Sequence, residues 1–336
     1  MHPDDILRQR LYNQQIALPA FERPEDIVQW LTAMQAQEYA RAKWAIALRG
    51  VGLNDRAVEQ AFNDGKILRT HLMRPTWHFV HPADIRWMLL LTAPRVHQAN
   101  AYYYKQLELD AKTMDRCNKV ISKALTGQFL TRAALKTALE KAKINADGLR
   151  LAYIVMYAEL EGVLCSGPRQ GKQFTYALLE ERAPAVKKLN RKEALRLFAE
   201  RYFTSRGPAT VKDFSYWSGL TMKEAQEGAA SLPPAFEKEN DLIFKPVTIP
   251  AGKKLQTTFL MPDYDEYGMS YKDRSAMLTD GGVPAWDRYI VCEGKPAGGW
   301  RKLEGADLET ELFVPLPKTK MAAVDRAIEK FQAFLG

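Results

Sequence analysis

The sequence predicts a mainly α-helical α+β fold, with three tandem winged-helix (helix-turn-helix) domains and a C-terminal β-rich domain, a partial barrel. Three observations point there. An order of helices followed by a hairpin recurs along roughly the first 250 residues. Glycine and proline corners separate helices at helix-turn-helix spacing. Beyond Pro250 the texture changes to short apolar runs, glycines and a dense acidic and aromatic group. The expected domains are 1–98, 99–185, 186–250 and 251–336.

The first unit begins with a helix over 4–16, with Ile6, Leu7, Leu11 and Tyr12 inward. Pro19 and Pro24 bracket a loop. The next helix carries Ile27, Trp30, Leu31 and Met34 on one face and closes at Met34-Gln35-Ala36-Gln37-Glu38. A third helix spans 40–48, Gly50 and Gly52 break it, and Asn54 caps a short helix to Asn63. Two strand-like pieces, 67–73 and 76–81, join at Arg74-Pro75. An apolar helix over 84–93 is ended or kinked by Pro94.

The second unit has helices over 114–125, from Thr131, and over 147–161. Its hairpin is 163–166 and 174–178, with the basic tip Gly167-Pro168-Arg169-Gln170-Gly171-Lys172. That tip fits either a plain hairpin loop or a phosphate contact through Arg169 and Lys172. The third unit has a helix over 192–203, the turn Ser205-Arg206-Gly207-Pro208, and a helix over 211–217 capped by Thr210. Ser218-Gly219-Leu220 makes a tight corner before the capping box Thr221-Met222-Lys223-Glu224. Its hairpin is 236–238 and 242–245. The repeat is one of element order, without residue identity. In the last domain, strands are expected at 259–261, 290–292 and 312–316, a glycine-rich turn at 294–299, and a closing helix over 321–335.

At 336 residues and 46% apolar, the chain is large enough for several domains and a substantial core. Its 48 basic and 40 acidic residues leave a formal charge of +8 and a pI of about 9.2, a balance that suits a polyanionic partner. Cys117, Cys165 and Cys292 are far apart and odd in number, which argues against a disulfide framework. His71, His78 and His81 lack a metal-ligand spacing, so no metal is expected. No apolar run approaches a membrane span and no secretory h-region opens the chain, so a soluble, cytoplasmic protein is expected.

The chemistry centres on Gln35-Ala36-Gln37. On a continuous helix the two side chains point roughly 200° apart. They can meet one ligand only if the helix ends or kinks there; otherwise they are two ordinary surface glutamines. A carboxamide is a poor acid and a poor base. Its carbonyl can orient water or lay negative dipole beside a developing cation, and its NH2 can donate to a nucleobase. His71 and His78 alternate with apolar residues on the ribbon and face either a cleft or their neighbours. Trp30, Trp44, Trp77 and Trp87 lie on apolar faces and read as core. Asp263, Asp265 and Glu266 read as braces for Lys272 and Arg274, because a carboxylate-rich surface would repel phosphate.

Four stretches together carry a resemblance: Met34 to Gln37, Arg69-Thr70-His71-Leu72-Met73-Arg74-Pro75-Thr76-Trp77-His78, Leu260 to Tyr267, and Tyr271 to Ser275. With them the chain resembles the winged-helix family that includes the AlkZ and YcaQ DNA glycosylases, over nearly its whole length. The resemblance implies three tandem winged helices with a C-terminal β-domain and a Gln-aliphatic-Gln catalytic motif, which Gln35-Ala36-Gln37 matches. The YcaQ type carries Asp at the second polar position, so the match leans to the AlkZ type. Pro75 departs from the glycine of the family's Arg-Gly-Thr-x-His ribbon.

What the resemblance implies is a monofunctional, metal-independent DNA glycosylase without cofactor. It would excise N-alkylated (N7 or N3) purines and unhook interstrand crosslinks. Its partner would be double-stranded DNA containing alkylated purines. Gln35 and Gln37 would be catalytic, and Arg169, Lys172, Lys272, Arg274, His71 and His78 would contact DNA. The rival reading is a non-catalytic winged-helix DNA-binding protein or transcriptional regulator. Such a regulator normally reads a palindrome as a dimer; no heptad or dimerisation helix is present, and a monomer is expected.

Overall fold

The computed structural model describes residues 1–183, 185–186, 188–250, 255–278, 288–303 and 307–336. Helix makes up about half of the chain, and the strands form small antiparallel sheets. The first unit runs α1 (Pro3–Asn13), α2 (Pro24–Leu31), β1 (Ala33–Gln35), α3 (Tyr39–Leu48), α4 (Asp55–Asn63), β2 (Leu68–Leu72) and β3 (Thr76–Val80). Asn54 caps α4 by accepting from the Ala57 N–H at 2.9 Å. Strands pair in the order β1-β3-β2.

Helix α5 (Ile85–Gln106) leads to the second unit: α6 (Ala111–Leu125), β4 (Leu130–Thr131), α7 (Arg132–Lys141), α8 (Leu149–Leu160), β5 (Leu164–Ser166) and β6 (Thr175–Leu178), with sheet order β4-β6-β5. Pro94 neither ends α5 nor marks a boundary: the helix runs through it and across the expected 98/99 border. Proline leaves the carbonyl four residues back without its helical donor, and here Arg191 Nη1 donates to that Leu90 carbonyl at 3.4 Å.

The short α9 (Leu179–Arg182) precedes the third unit: α10 (Arg191–Arg206), α11 (Val211–Ser218), α12 (Met222–Ala230), β7 (Glu237–Glu239) and β8 (Leu242–Phe244). A reciprocal Ala209–Ile243 backbone pair adds a one-residue third strand to its hairpin. Each unit therefore repeats the order helix, short strand, two helices and hairpin, with α1 an extra helix ahead of the first.

The last region holds β9 (Thr258–Met261), α13 (Glu266–Met269), β10 (Arg288–Cys292), β11 (Lys295–Lys302), β12 (Leu308–Leu312) and α14 (Lys318–Leu335). Its described strands form an open sheet, β12-β11-β10-β9, in place of the expected partial barrel. Helix α14 packs against β9, and Phe331 and Phe334 meet Trp44 there. The expected turn over 294–299 shrinks to Glu293-Gly294, both at positive φ. Gly298 lies inside β11, where a Cβ would stand 2.5 Å from the Glu311 carbonyl of β12, a close approach that glycine permits.

Burial divides unevenly. The second unit has its own core, built on Met114, Ile121, Leu135, Leu139, Ile154 and Leu164. One larger core joins the first unit, the third unit and the last sheet through Trp44, Phe198, Tyr202, Trp217, Phe259 and Trp300. Among the described residues, no helix is long and apolar enough to cross a membrane.

Candidate active site

The helix expected to close at the glutamines ends earlier, at Leu31. Thr32 adopts positive φ, and residues 33–35 become β1. A distant side chain makes this switch. Arg206, buried at the end of α10, donates from Nη1 to the Leu31 carbonyl at 2.8 Å and from Nη2 to the Ala33 carbonyl at 3.0 Å. The ladder continues beyond β1, since the Ala36 N–H donates to the Trp77 carbonyl at 2.7 Å. Pairing thus reaches Ala36, and Gln37 falls in the bend that follows, before α3. The helix does end before the glutamines, as a shared ligand would require. Gln35 is buried and Gln37 is exposed.

Glu266 anchors this strand from the last region. Its Oε1 accepts the Gln35 backbone N–H at 2.9 Å. Its Oε2 accepts from Arg206 Nη2 at 2.8 Å, Trp217 Nε1 at 2.8 Å and Ser270 Oγ at 3.1 Å. Burial pushes the Glu266 carboxyl up, but the Arg206 charge and these hydrogen bonds outweigh it and hold the group below the usual carboxylate range. The neighbouring Asp265 forms a fully buried two-pronged pair with Arg49, at 2.7 and 2.8 Å. Asp263 pairs with Arg41 and Arg288. The acidic group is a brace, as expected, but it braces these arginines. Lys272 and Arg274 are exposed beside it, and neither pairs with a carboxylate among the described residues.

The ribbon divides the remaining residues between its two faces. Gln35 and His78 are direct cross-strand partners, as are His78 and Thr70, so all three share one face. His71, Trp77 and Arg69 lie on the other. His78 is fully buried, with Nδ1 3.0 Å from the Thr76 carbonyl. A carbonyl only accepts, so Nδ1 carries the proton. Nε2 is left without a partner among the described residues. Burial, reinforced by the Arg74 charge, pulls His78 down to about 3. It is neutral at physiological pH.

Two assignments change here. His71 and His78 were expected to contact DNA, and both are buried. His71 pairs with the buried Glu159 of α8, and His78 sits inside the sheet. Trp77, expected in the core, is half-buried and faces a cleft.

That cleft, about 630 Å³, separates the ribbon from the second unit. Arg69, Trp77, Arg132, Lys172, Phe174 and Tyr176 line it. Arg69 stacks between Trp77 at 4.4 Å and Phe174 at 4.7 Å and donates from Nε to the Ala36 carbonyl at 3.0 Å. Burial pulls it down to about 10, so it stays cationic. Of the basic tip, Lys172 is exposed at the cleft, whereas Arg169 stacks on Tyr39 and Phe174, at 5.0 and 4.5 Å, and docks the hairpin onto the first unit.

Arg74 is the residue that sequence reasoning passed over. It sits at the ribbon's turn, and its Nη2 donates to the Gln35 Oε1 at 3.1 Å. Its signal was present in the Arg74-Pro75-Thr76-Trp77-His78 stretch, but only the pairing shows which glutamine it reaches. The turn tolerates Pro75 because Met73 takes the positive φ instead. Arg206 and Trp217 gave no comparable signal, being some 170 to 180 residues from the strand they hold. Among the described residues, no group of three or more His, Cys, Asp or Glu is placed to hold a metal ion.

The family described as DNA glycosylase AlkZ-like matches residues 28–334, which is most of the chain. The chain belongs to the AlkZ-like DNA glycosylase family. The interstrand DNA cross-link repair glycosylase of Streptomyces sahachiroi is 27% identical to it over 202 residues, covering 58% of this chain. That match spans 54% of the relative, about half its length. The solved structure of Streptomyces sahachiroi DNA glycosylase AlkZ superposes with a TM-score of 0.78 at 20% identity, over 98% of this chain and 96% of that one. Its fold is therefore that of this AlkZ-like chain, with mixed helices and small antiparallel sheets.

Proposed function

We propose that the chain is a DNA glycosylase that hydrolyses the N-glycosidic bond of N7- or N3-alkylated purines, with Gln35 and Gln37 as its catalytic residues. The observation that carries this is two carboxamides at the end of β1, where the helix has stopped, beside a buried carboxylate that is fully occupied. Glu266 spends its oxygens on Arg206, Trp217, Ser270 and the Gln35 backbone. Such a site has dipoles to offer, and its buried carboxylate is not free to act as an acid. An alkylated purine is already cationic and leaves without protonation. Water forms a bond to C1′ and the C1′–N bond breaks. Its electron pair neutralises the purine, and the water's proton passes to solvent. The carboxamides orient the reactants and stabilise sugar charge. An undamaged purine needs a stronger acid and does not react.

In this reading the three repeated units are winged helices, with the first border after α5 and the others near 185 and 250, and they hold double-stranded DNA as a monomer in the cytoplasm. Lys172, Lys272 and Arg274 contact phosphates, with Arg169 contributing less because it stacks on Tyr39 and Phe174. The relative named for interstrand cross-link repair extends the substrate class to crosslinked purines.

The test is incubation of duplex DNA containing N7-methylguanine with the protein, followed by detection of free base. Release of N7-methylguanine with an intact sugar–phosphate backbone is expected. Salt-sensitive binding without release would leave the regulator reading. Lys172→Ala should reduce the slope of log affinity against log salt by about one, and Arg169→Ala by less.

A further inference from the structure

The two carboxamides are not equivalent. The Gln35 oxygen is occupied, since Arg74 Nη2 donates to it at 3.1 Å. The Gln35 backbone is held by Glu266 at 2.9 Å. Among the described residues the Gln35 NH2 makes no hydrogen bond, and neither end of the Gln37 carboxamide does. Arg74 is itself placed from outside the ribbon. Its turn depends on Met73 at positive φ, and the Met73 carbonyl lies against Gly219, the left-handed corner between α11 and α12, where a Cβ would collide with it. Only glycine leaves room for that approach. One short helix, α11, therefore supplies both Trp217 to Glu266 and the seat for Arg74.

We propose that Arg74 is a positioning residue that fixes Gln35 as a hydrogen-bond donor, so that Gln35 and Gln37 perform different tasks. With its oxygen held by Arg74, Gln35 presents its NH2 to an acceptor atom of the leaving purine, N3 or O6. Gln37, whose carbonyl is free, orients the attacking water. The division suits the electron flow. As the C1′–N bond breaks, its electron pair enters a ring that was cationic, and the purine acceptors become stronger. The Gln35 hydrogen bond tightens in the transition state, which is where binding accelerates the reaction. The inference rests on the catalytic reading of the glutamines given above.

Single-turnover release of N7-methylguanine at saturating protein tests it. Arg74→Ala should slow release by about a hundredfold, the cost of misplacing an oriented group. It should add nothing in a Gln35→Ala background but multiply the loss in a Gln37→Ala background. Arg74→Lys should recover part of the rate. Gln35→Glu keeps an oxygen beside Arg74 but loses the NH2, so it should be as slow as Gln35→Ala. The inference is overturned if Gln35→Glu releases base normally, or if Arg74→Ala multiplies the Gln35→Ala loss. It is also overturned if Arg74→Ala and Arg74→Lys lower only the salt slope of binding and leave saturated release unchanged. Normal release by a folded Gln35→Ala/Gln37→Ala variant would instead remove the catalytic reading itself, a distinguishable failure. Thermal melts of each variant separate these outcomes from unfolding.

Discussion

The second and third units show what the short strand ordinarily does, and the first unit departs from it. In the second, β4 ends at Thr131, which caps α7 at once by accepting the Ala134 N–H at 3.2 Å. In the third, Ala209 makes the strand pair, and Thr210 closes a reciprocal box with Asp213 at 2.9 and 3.1 Å. In the first, β1 ends at Gln35, and Ala36, Gln37 and Glu38 intervene before α3. Glu38 makes no side-chain cap. The first unit lacks a local stabilisation worth about 0.5–2 kcal/mol and has instead a strand end and bend bearing two carboxamides. What the cap would have stabilised locally is offset from afar by Arg206 and Glu266. A departure from a rule that the same chain obeys twice elsewhere is where a functional or strained site is expected.

The sharpest way to break this comparison is to remove the distant support. Glu266→Ala leaves Arg206, the Trp217 N–H and the Gln35 N–H buried without their partner, and it should cost about 3–5 kcal/mol in denaturant unfolding. Glu266→Gln, which keeps an acceptor, should cost less. Equal, small losses in both would mean that the strand is held by other contacts.

A second effect is graded by pH. His78 titrates near 6.5 when unfolded and is pulled down to about 3 when folded. Between those values only the unfolded chain takes up the proton. Stability should be level above the unfolded value and fall as pH drops toward the folded one. His78→Gln should flatten that fall without abolishing it, because burial also pulls His81 and His97 down. Chemical denaturation at several pH values measures the slope, and an unchanged slope would contradict the buried, neutral imidazole.

The smallest effect compares the caps directly. Thr131→Ala and Thr210→Ala should each cost about 0.5–2 kcal/mol, whereas Glu38→Ala should stay within about 0.5 kcal/mol. A comparable loss at Glu38 would erase the distinction between the units.

Much of this was legible from residues alone. Asn54, Thr131, Thr210 and Thr221 announced their helices by side-chain chemistry that acts within three residues. The three hairpins were visible from alternating apolar residues and turn signals, as was the Gln-Ala-Gln stretch itself. What stayed hidden depends on contacts distant in sequence. Ile27, Leu31 and Met34 fit a helical face, yet Arg206 takes the Leu31 and Ala33 carbonyls and turns the end into strand. Pro94 reads as a helix stop until Arg191 supplies the missing donor. The carboxylates at 263, 265 and 266 announced themselves as braces, but which arginines they hold is a tertiary fact.

The central claim is that this uncapped segment is the catalytic one. Single-turnover release of N7-methylguanine by the Gln35→Ala/Gln37→Ala variant tests it most directly, alongside a thermal melt and a DNA-binding titration. A variant that melts and binds DNA like the parent but releases base at least about ten- to a thousandfold more slowly is the predicted result. Release at the parent rate by that folded, DNA-binding variant would contradict the account.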